Sequence, residues 1–494
     1  MPLQYGLALA VPVLAAVALI AILVQMYGIP EPFVHDEFAY LLGADTFLEG
    51  RITNPMPPLS EFFESFHVSM RPTYHSKYPP GQSCFLALGT WGFGKPIFGV
   101  WLSYILSVLA VTWGLFAVMP PSWAALGGIF SVLNTLMLTK WAFSYWGGSV
   151  AMLGGALFLG GLLRVISSPR VPTALVMGLG LVIMSFTRPL EGLLTAVICL
   201  VPYLVFCIGR IRLDYDDRGY RRILIVLVIT GGIVLVGNLF YNRALTGSFF
   251  TFPHSHWKPS VSTHLLIQQY TGSAKLSTEF KIQRLFSEFI GPILWVFLGV
   301  VLVKCRNLKY WVGLMAILGV TGYSVCTGKA WPHYVAPVVP IVMGLLAKGG
   351  QLLFQWRIGA NRVGPIILCM VVLIFIWQES LSLSEQAPTT IDFKGAVKRG
   401  IYFKGTIEDV VSAQPGKHLI MVHYLEGHDP NWEYVYNRAD IPSAEIIWAR
   451  KMDSESNREL FKTYSGRQIW YLELGRMPKR LIYWEDYLHG KTEP

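Results

Sequence analysis

Two acids stand side by side just after the first apolar stretch of the chain, in His35-Asp36-Glu37. A carboxylate at a membrane boundary can take a proton from a hydroxyl or amine, or hold a metal ion. It can equally be a solvated loop acid, or Asp36 can cap the helical-looking stretch 37–48. Orientation in a membrane does not explain the pair, because acids contribute little to it. The same segment carries Tyr40, Asp45, Glu49, Arg51, Glu61, Glu64, His67 and Arg71. It ends on Tyr74-His75-Ser76-Lys77-Tyr78-Pro79-Pro80-Gly81-Gln82, where the two prolines force an extended, stiff chain. A lysine fixed there could face a phosphate, and a lysine snorkelling to headgroups would sit there as well.

Further cations occur with aromatic neighbours. In Thr187-Arg188-Pro189-Leu190-Glu191-Gly192, a very short loop holds Arg188 and Glu191 near the membrane surface. A guanidinium there suits a phosphodiester or pyrophosphate, or pairs with the nearby glutamate. Lys329-Ala330-Trp331-Pro332-His333-Tyr334 repeats the theme of a cation and a titratable ring beside aromatics, which also anchor interfaces. Arg243 leaves another apolar run, and His254-Ser255-His256 would share a face as a strand and could bind metal. His423, Glu426, His428 and Asp429 lie close together near the C-terminus. The sequence has no Walker loop, dinucleotide fingerprint or nucleophile elbow. An activated donor reaching such a site would therefore arrive through lipid.

The elements that must position these residues are apolar. The 494 residues are 53% hydrophobic and 14% charged, against roughly a quarter charged in soluble domains. Spans are expected at about 6–28, 97–118, 122–139, 147–164, 172–187, 190–209, 223–241, 289–304, 311–327, 335–348 and 363–381, eleven in all. The first run is too long for a signal-peptide core and lacks a basic segment before it, so it reads as a retained helix. Residues 81–94 are apolar but short, and read as a juxtamembrane or re-entrant segment. With the N-terminus inside, the inner loops hold thirteen basic residues and the short outer loops three, Lys140, Arg188 and Lys329. Counting 81–94 as a span would reverse this. The net charge of +10 accordingly reads as loop and headgroup chemistry, with no nucleic acid partner. The six cysteines form no C-x-x-C pair and suggest neither a disulfide framework nor a cysteine metal site.

The expected organisation is a mainly α, polytopic membrane domain over 1–381, with a first outer loop at 29–80, and a small soluble α/β domain over 382–494. In the tail, apolar runs at 418–424, 444–449 and 468–474 read as strands and 455–464 as a helix.

A first span followed by Asp36-Glu37-x-x-Tyr40, a helical stretch ending in Gly50, and then Lys77 before Pro79-Pro80 resembles the GT-C superfamily of membrane glycosyltransferases. It is most similar to the branch of protein O-mannosyltransferases and aminoarabinose (lipid A) transferases. The resemblance implies a polyprenyl-phosphate-linked sugar donor; outer loops and such a donor suit a bacterial inner membrane facing the periplasm, and an endoplasmic reticulum location would be topologically equivalent. It implies that Asp36 is the catalytic base or the carboxylate that positions the acceptor, that Glu37 orients acceptor or donor, and that Lys77 contacts the donor phosphate. One departure is Tyr78, which separates Lys77 from the prolines where related enzymes often have no residue.

Arg188, Lys329 and His333 join the donor-phosphate candidates by position, and Tyr40, His67, Tyr74, Glu191 and Arg243 are the candidates for substrate contact. Some GT-C enzymes use a divalent metal, while the branch named often does not. No cofactor is therefore fixed, and a divalent ion stays open. The acceptor could be a glycan, a lipid or a protein, and membrane lipid is a partner throughout. The rival readings are a flippase or transporter of lipid-linked sugars, whose spans should carry path-lining charges, an oligosaccharide ligase or oligosaccharyltransferase moving a whole glycan, and a non-catalytic scaffold.

Overall fold

Long apolar runs become helices because a backbone in hydrocarbon must satisfy its own polar groups. The computed structural model describes residues 3–213, 218–257, 277–279, 282, 290, 292–304, 307–327, 331–390, 403–425, 428, 432–475 and 480–489. Its helices begin with α1 (Leu3–Tyr27), α2 (His35–Leu48), α3 (Gly81–Phe93), α4 (Ile97–Leu115), α5 (Pro121–Leu133), α6 (Ser149–Ser167), α7 (Val171–Ser185), α8 (Pro189–Leu213) and α9 (Arg218–Thr246). Helices at Trp295–Lys304, Leu308–Cys326, Val339–Phe354 and Gly364–Thr390 follow. Among the described residues, eight helices are long and apolar enough to cross a membrane, and α5, α7 and Pro292–Lys304 are shorter apolar ones. Together they coincide with the eleven expected stretches. The thirteen-residue α3 belongs to neither group.

The chain divides into two compact units that do not follow chain order. The first comprises Met1–Ile29, Ile97–Asn238 and Leu276–Asp392, and holds the long apolar helices. Small residues let these backbones approach: a Cβ on Gly161 would lie 2.8 Å from Met177, and one on Gly180 2.3 Å from the Phe158 nitrogen. Two ionisable side chains in this unit are tied to backbone. Arg164 donates to the Gly160 carbonyl at 2.9 Å and lies 3.8 Å from the Trp113 ring. Glu379 accepts the Thr135 N–H at 2.7 Å. Both contacts give an ionisable group within an apolar helix a backbone partner.

The second unit comprises Pro30–Pro96, Leu239–Lys275 and Phe393–Pro494. Its sheet runs β4 (Ile446–Arg450), β3 (Lys417–Tyr424), β5 (Arg467–Leu474), β6 (Arg480–Tyr483), with β3 parallel to both neighbours and β6 antiparallel on the edge. The three expected strands and the helix at Ser454–Thr463 are present, the latter capped by Asp453. The edge strand β6 and a helix at Lys404–Ser412 are additions. Ile407, Val411, Ile420, Val422, Trp448 and Leu472 form the core.

This sheet is stitched to the first loop. Val34 and Trp432 form an antiparallel bridge, and the Glu433 N–H donates to the Phe33 carbonyl. Tyr74 donates to the Asn437 carbonyl at 2.8 Å, and Tyr464 to that of Pro58 at 3.1 Å. The buried Arg450–Glu433 pair closes at 3.1 Å, and Arg450 also donates to the Glu64 carbonyl at 2.9 Å.

Candidate functional site

Helix α2 starts where it does because Glu37 folds back on it. Val34 has extended backbone, and the Glu37 carboxylate accepts the N–H groups of Phe33 at 3.0 Å and Val34 at 3.3 Å. That is the glutamate arm of a capping box. Glu37 is buried, and its carboxylate serves the helix start. Asp36 sits at the second helical position, so the capping alternative weighed for it belongs to its neighbour. Successive helical residues point about 100° apart, and Asp36 faces elsewhere with a quarter of its side chain exposed. The helix ends at Leu48, with Gly50 left-handed (φ 69°) just beyond, as a C-terminal glycine requires.

Three groups converge on Asp36. His35 Nε2 lies 3.3 Å from Oδ2 and His67 Nε2 3.6 Å from Oδ1. The Tyr78 hydroxyl donates to Oδ1. The two imidazoles meet edge to face, 4.4 Å between centroids. His67 is held in the left-handed region at φ 64°, where histidine is tolerated better than most residues but at a cost of roughly 1–3 kcal/mol. Burial, then the charge of Lys77, keep the His67 ring well below the ordinary histidine range, so it is neutral at pH 7.

A two-rung hairpin brings Lys77 to the same place. β1 (Val68–Ser69) pairs antiparallel with β2 (His75–Ser76), Val68 opposite Ser76. The next rung sets Lys77 against His67, and the Lys77 N–H donates to the His67 carbonyl at 3.0 Å. Lys77 is buried, its ammonium 4.9 Å from the Trp257 ring and 5.2 Å from that of Tyr78. Tyr78 in turn stacks on Tyr40 at 4.5 Å. Ser83 donates to the Tyr40 carbonyl at 2.8 Å, which needs a close approach of α3 to α2 at Gly43.

Asp36, Tyr40, His67 and Lys77 are therefore brought together, with Glu37 as the cap beneath them. Tyr74 is buried, and burial with the nearby Asp45 holds its phenol well above the ordinary tyrosine range. Its hydroxyl ties loop to sheet. Arg243 donates to the Gly247 carbonyl at the end of its own helix. Arg188, Glu191 and His333 lie in the other unit. The Arg188 guanidinium lies 4.4 Å from the Tyr334 ring, and His333 packs 4.7 Å from Tyr334 and 5.7 Å from Trp146. Glu191 is buried in the first turn of α8. Lys329 lies outside the described residues.

His254 and His256, which would share a face only in a strand, lie in a helical turn, Pro253–His256. Proline starts it, and residues two apart in a helix do not share a face. His256 Nε2 instead meets the Arg71 carbonyl at 3.2 Å. In the tail, His423 contacts the Tyr471 hydroxyl and His428 the Trp432 carbonyl, while Glu426 and Asp429 lie outside the described residues.

Three members of the cluster, His35, Tyr78 and Trp257, lie outside the sequence-predicted site residues. His35 was visible beside Asp36. Tyr78 stood out only as an interruption of the lysine-proline motif, yet it reaches the carboxylate. Trp257, whose indole N–H donates to the Val68 carbonyl at 3.0 Å, is distant in the chain and gave no signal.

The fold has solved counterparts. ArnT from Cupriavidus metallidurans in the apo state matches with a TM-score of 0.54 at 13% identity, covering 94% of this chain and 92% of that one. The same protein bound to undecaprenyl phosphate matches at 0.55 and 14% identity over the same shares. No protein-family model matches the sequence, and no curated protein matches it. The chain shares the fold of that protein, with apolar helices and a small C-terminal sheet.

Proposed function

We propose that this chain is a membrane glycosyltransferase that moves a sugar from a polyprenyl-phosphate carrier to a hydroxyl or amine acceptor, on the periplasmic side of the inner membrane. One observation carries the reading: on a GT-C fold, the first-loop Asp36 is oriented by two imidazoles and a phenol, with the buried Lys77 on the adjoining rung. The solved counterpart with undecaprenyl phosphate supports the donor class. The loop charges support the orientation.

In the reaction, Asp36 takes the proton from the acceptor. The acceptor's lone pair forms the new bond to the anomeric carbon as the carbon–oxygen bond to phosphate breaks, and the phosphate leaves with that bonding pair. The leaving group is good enough to need no strong acid, so positioning and charge stabilisation supply the catalysis. Lys77 offsets charge on the departing phosphate, and Arg188 and His333 carry side chains suited to phosphate by their chemistry. Tyr78 and Tyr40 keep the carboxylate and lysine in register.

The test is release of free polyprenyl phosphate by purified protein in nanodiscs, offered a panel of lipid-linked sugars with membrane extract as acceptor. Donor-dependent release with inversion at the anomeric carbon supports single displacement. A retained configuration overturns that mechanism, and no release with any donor overturns the transferase reading.

A further inference from the structure

We propose that the tail carries a binding site for a neutral pyranose at the carboxyl ends of β3 and β5, formed by His423, Lys451 and Tyr487. The site itself owes nothing to Asp36, and only the use of the bound sugar as acceptor rests on the transfer reading above.

Topology gives the place. The parallel strands stand in the order β4, β3, β5. The chain leaves β3 toward β4 and leaves β5 toward β6, on the opposite side. Connections that part in this way open a crevice beyond the strand ends, where open α/β sheets bind their ligands. His423 pairs with Glu473 near the end of β3 and β5. The Lys451 N–H donates to the Val422 carbonyl at 2.8 Å, so the residue after β4 continues the ladder beside His423. Side chains alternate along a strand. Lys451, His423 and Glu473 therefore form one row, on the face opposite Val422, Trp448 and Leu472 of the core.

Hydrogen bonding sets what the row offers. The Tyr471 hydroxyl donates its one proton to Glu473 Oε2 at 2.8 Å. His423 Nδ1 lies 2.7 Å from the same phenol oxygen and must be the donor there. Burial, then the charge of Lys451, hold the His423 ring below the ordinary histidine range, so it is neutral at pH 7. A neutral imidazole with its proton on Nδ1 carries its lone pair on Nε2. Among the described residues, no hydrogen bond occupies Nε2 or the Lys451 ammonium, and both side chains are half-buried.

That combination selects a ligand. A lone pair beside an ammonium complements a hydroxyl, which donates to one and accepts from the other. An anion would meet the Nε2 lone pair and Glu473, and a cation would meet Lys451. Next to them stands Tyr487, half-buried, stacked on Tyr471 at 3.9 Å and with its ring 5.8 Å from the Lys451 ammonium. An aromatic ring takes the C–H face of a sugar while the hydroxyls around its rim reach polar groups.

The experiment uses the full chain in nanodiscs, titrated with the methyl pyranosides of glucose, galactose and mannose and with their disaccharides. Methyl glucuronide and inorganic phosphate serve as anionic controls, and binding is read by saturation-transfer NMR. The expected result is saturable binding of a neutral sugar in preference to either anion. Lys451→Met and Tyr487→Ala should each weaken it by roughly ten-fold, the scale of a lost hydrogen bond to a charged group or a lost aromatic contact. Unfolding curves confirm that both are folded, and Lys451→Met decides alone if Tyr487→Ala is not. Tyr471→Phe, which removes the acceptor for Nδ1 without touching the sugar, should weaken binding less. Absence of neutral-sugar binding, binding unchanged in Lys451→Met, or tighter binding of an anion overturns the site. Asp36→Asn should bind sugar as wild type does. Binding without release of polyprenyl phosphate supports the site and counts against transfer. Release with sugar binding unaffected by Lys451→Met sinks the site and leaves transfer standing.

Discussion

The two units hold their chemistry in different ways. In the unit built from the first loop and the tail, Asp36 is fixed by contacts among residues far apart in sequence. A capping glutamate, a strained histidine, a hairpin rung and a tyrosine stack converge on it, and the sheet clamps the loop through Arg450 and Glu433. In the unit of apolar helices, Arg188 and His333 rest on aromatic faces. The acid is thus built into an over-determined loop, and the guanidinium and imidazole lie against flat, polarisable rings. A base must meet one hydrogen, which demands fixed geometry. A cation serving a diffuse phosphate charge tolerates more play.

The largest effect should come from breaking the clamp. Arg450→Met leaves Glu433 buried without its cation, which costs about 3–5 kcal/mol. Hydrogen exchange should show lost protection in 30–96 and the tail, with α4, α6 and α7 unchanged. Equal loss in both units would erase the contrast.

Next come the cations. Lys77→Ala and Arg188→Ala should each lower donor turnover by roughly 10–100-fold, the 1.5–3 kcal/mol scale of hydrogen bonds to charged groups. Arg188→Lys should recover only part, because lysine lacks the planar face. Turnover assays on folded variants decide this, and unchanged rates would leave the aromatic cluster as an interfacial anchor.

Acid should weaken the loop unit selectively. Burial pushes the His75 ring down to about 4, while an unfolded histidine titrates near 6.5. The unfolded chain then binds the extra proton between those values. Stability is therefore fully present above pH 6.5 and lost as pH falls toward 4, at about 1.4 kcal/mol per pH unit for one proton. His67 shifts in the same direction. Between pH 6.5 and 5 the share of the loss due to His75 should reach about 2 kcal/mol in melts, and His75→Gln should remove that share. The smallest effect is expected from Gly43→Ala. The new methyl would lie 2.4 Å from Ser83 Oγ, displacing that hydroxyl and costing about 1 kcal/mol in the same melts.

The apolar helices were legible because a twenty-residue run needs no partner to declare itself, and the loop charges separated α3 from the spans. Strands β3, β4 and β5 were legible as short apolar runs. The edge strand β6 was not, since Arg480-Leu481-Ile482-Tyr483 is short and lies against only one neighbour. Asp36, Tyr40 and Lys77, singled out by type, spacing and the family resemblance, do lie near one another in the structure. The roles of Glu37 and Tyr78 were not legible, because adjacency in sequence does not say which of two acids turns back to cap a helix or where a ring between lysine and proline will point. The joining of loop and tail depends on pairings across some four hundred residues, such as Val34 with Trp432, which one sequence does not display.

The role proposed for Asp36 is that of base in a lipid-linked sugar transfer. Its most direct test compares wild type with Asp36→Asn in nanodiscs, with each folded protein given the donor that wild type turns over. A fall of at least ~100-fold in released polyprenyl phosphate, the scale of a lost general base, is the predicted result. Equal turnover by the folded variant would contradict it.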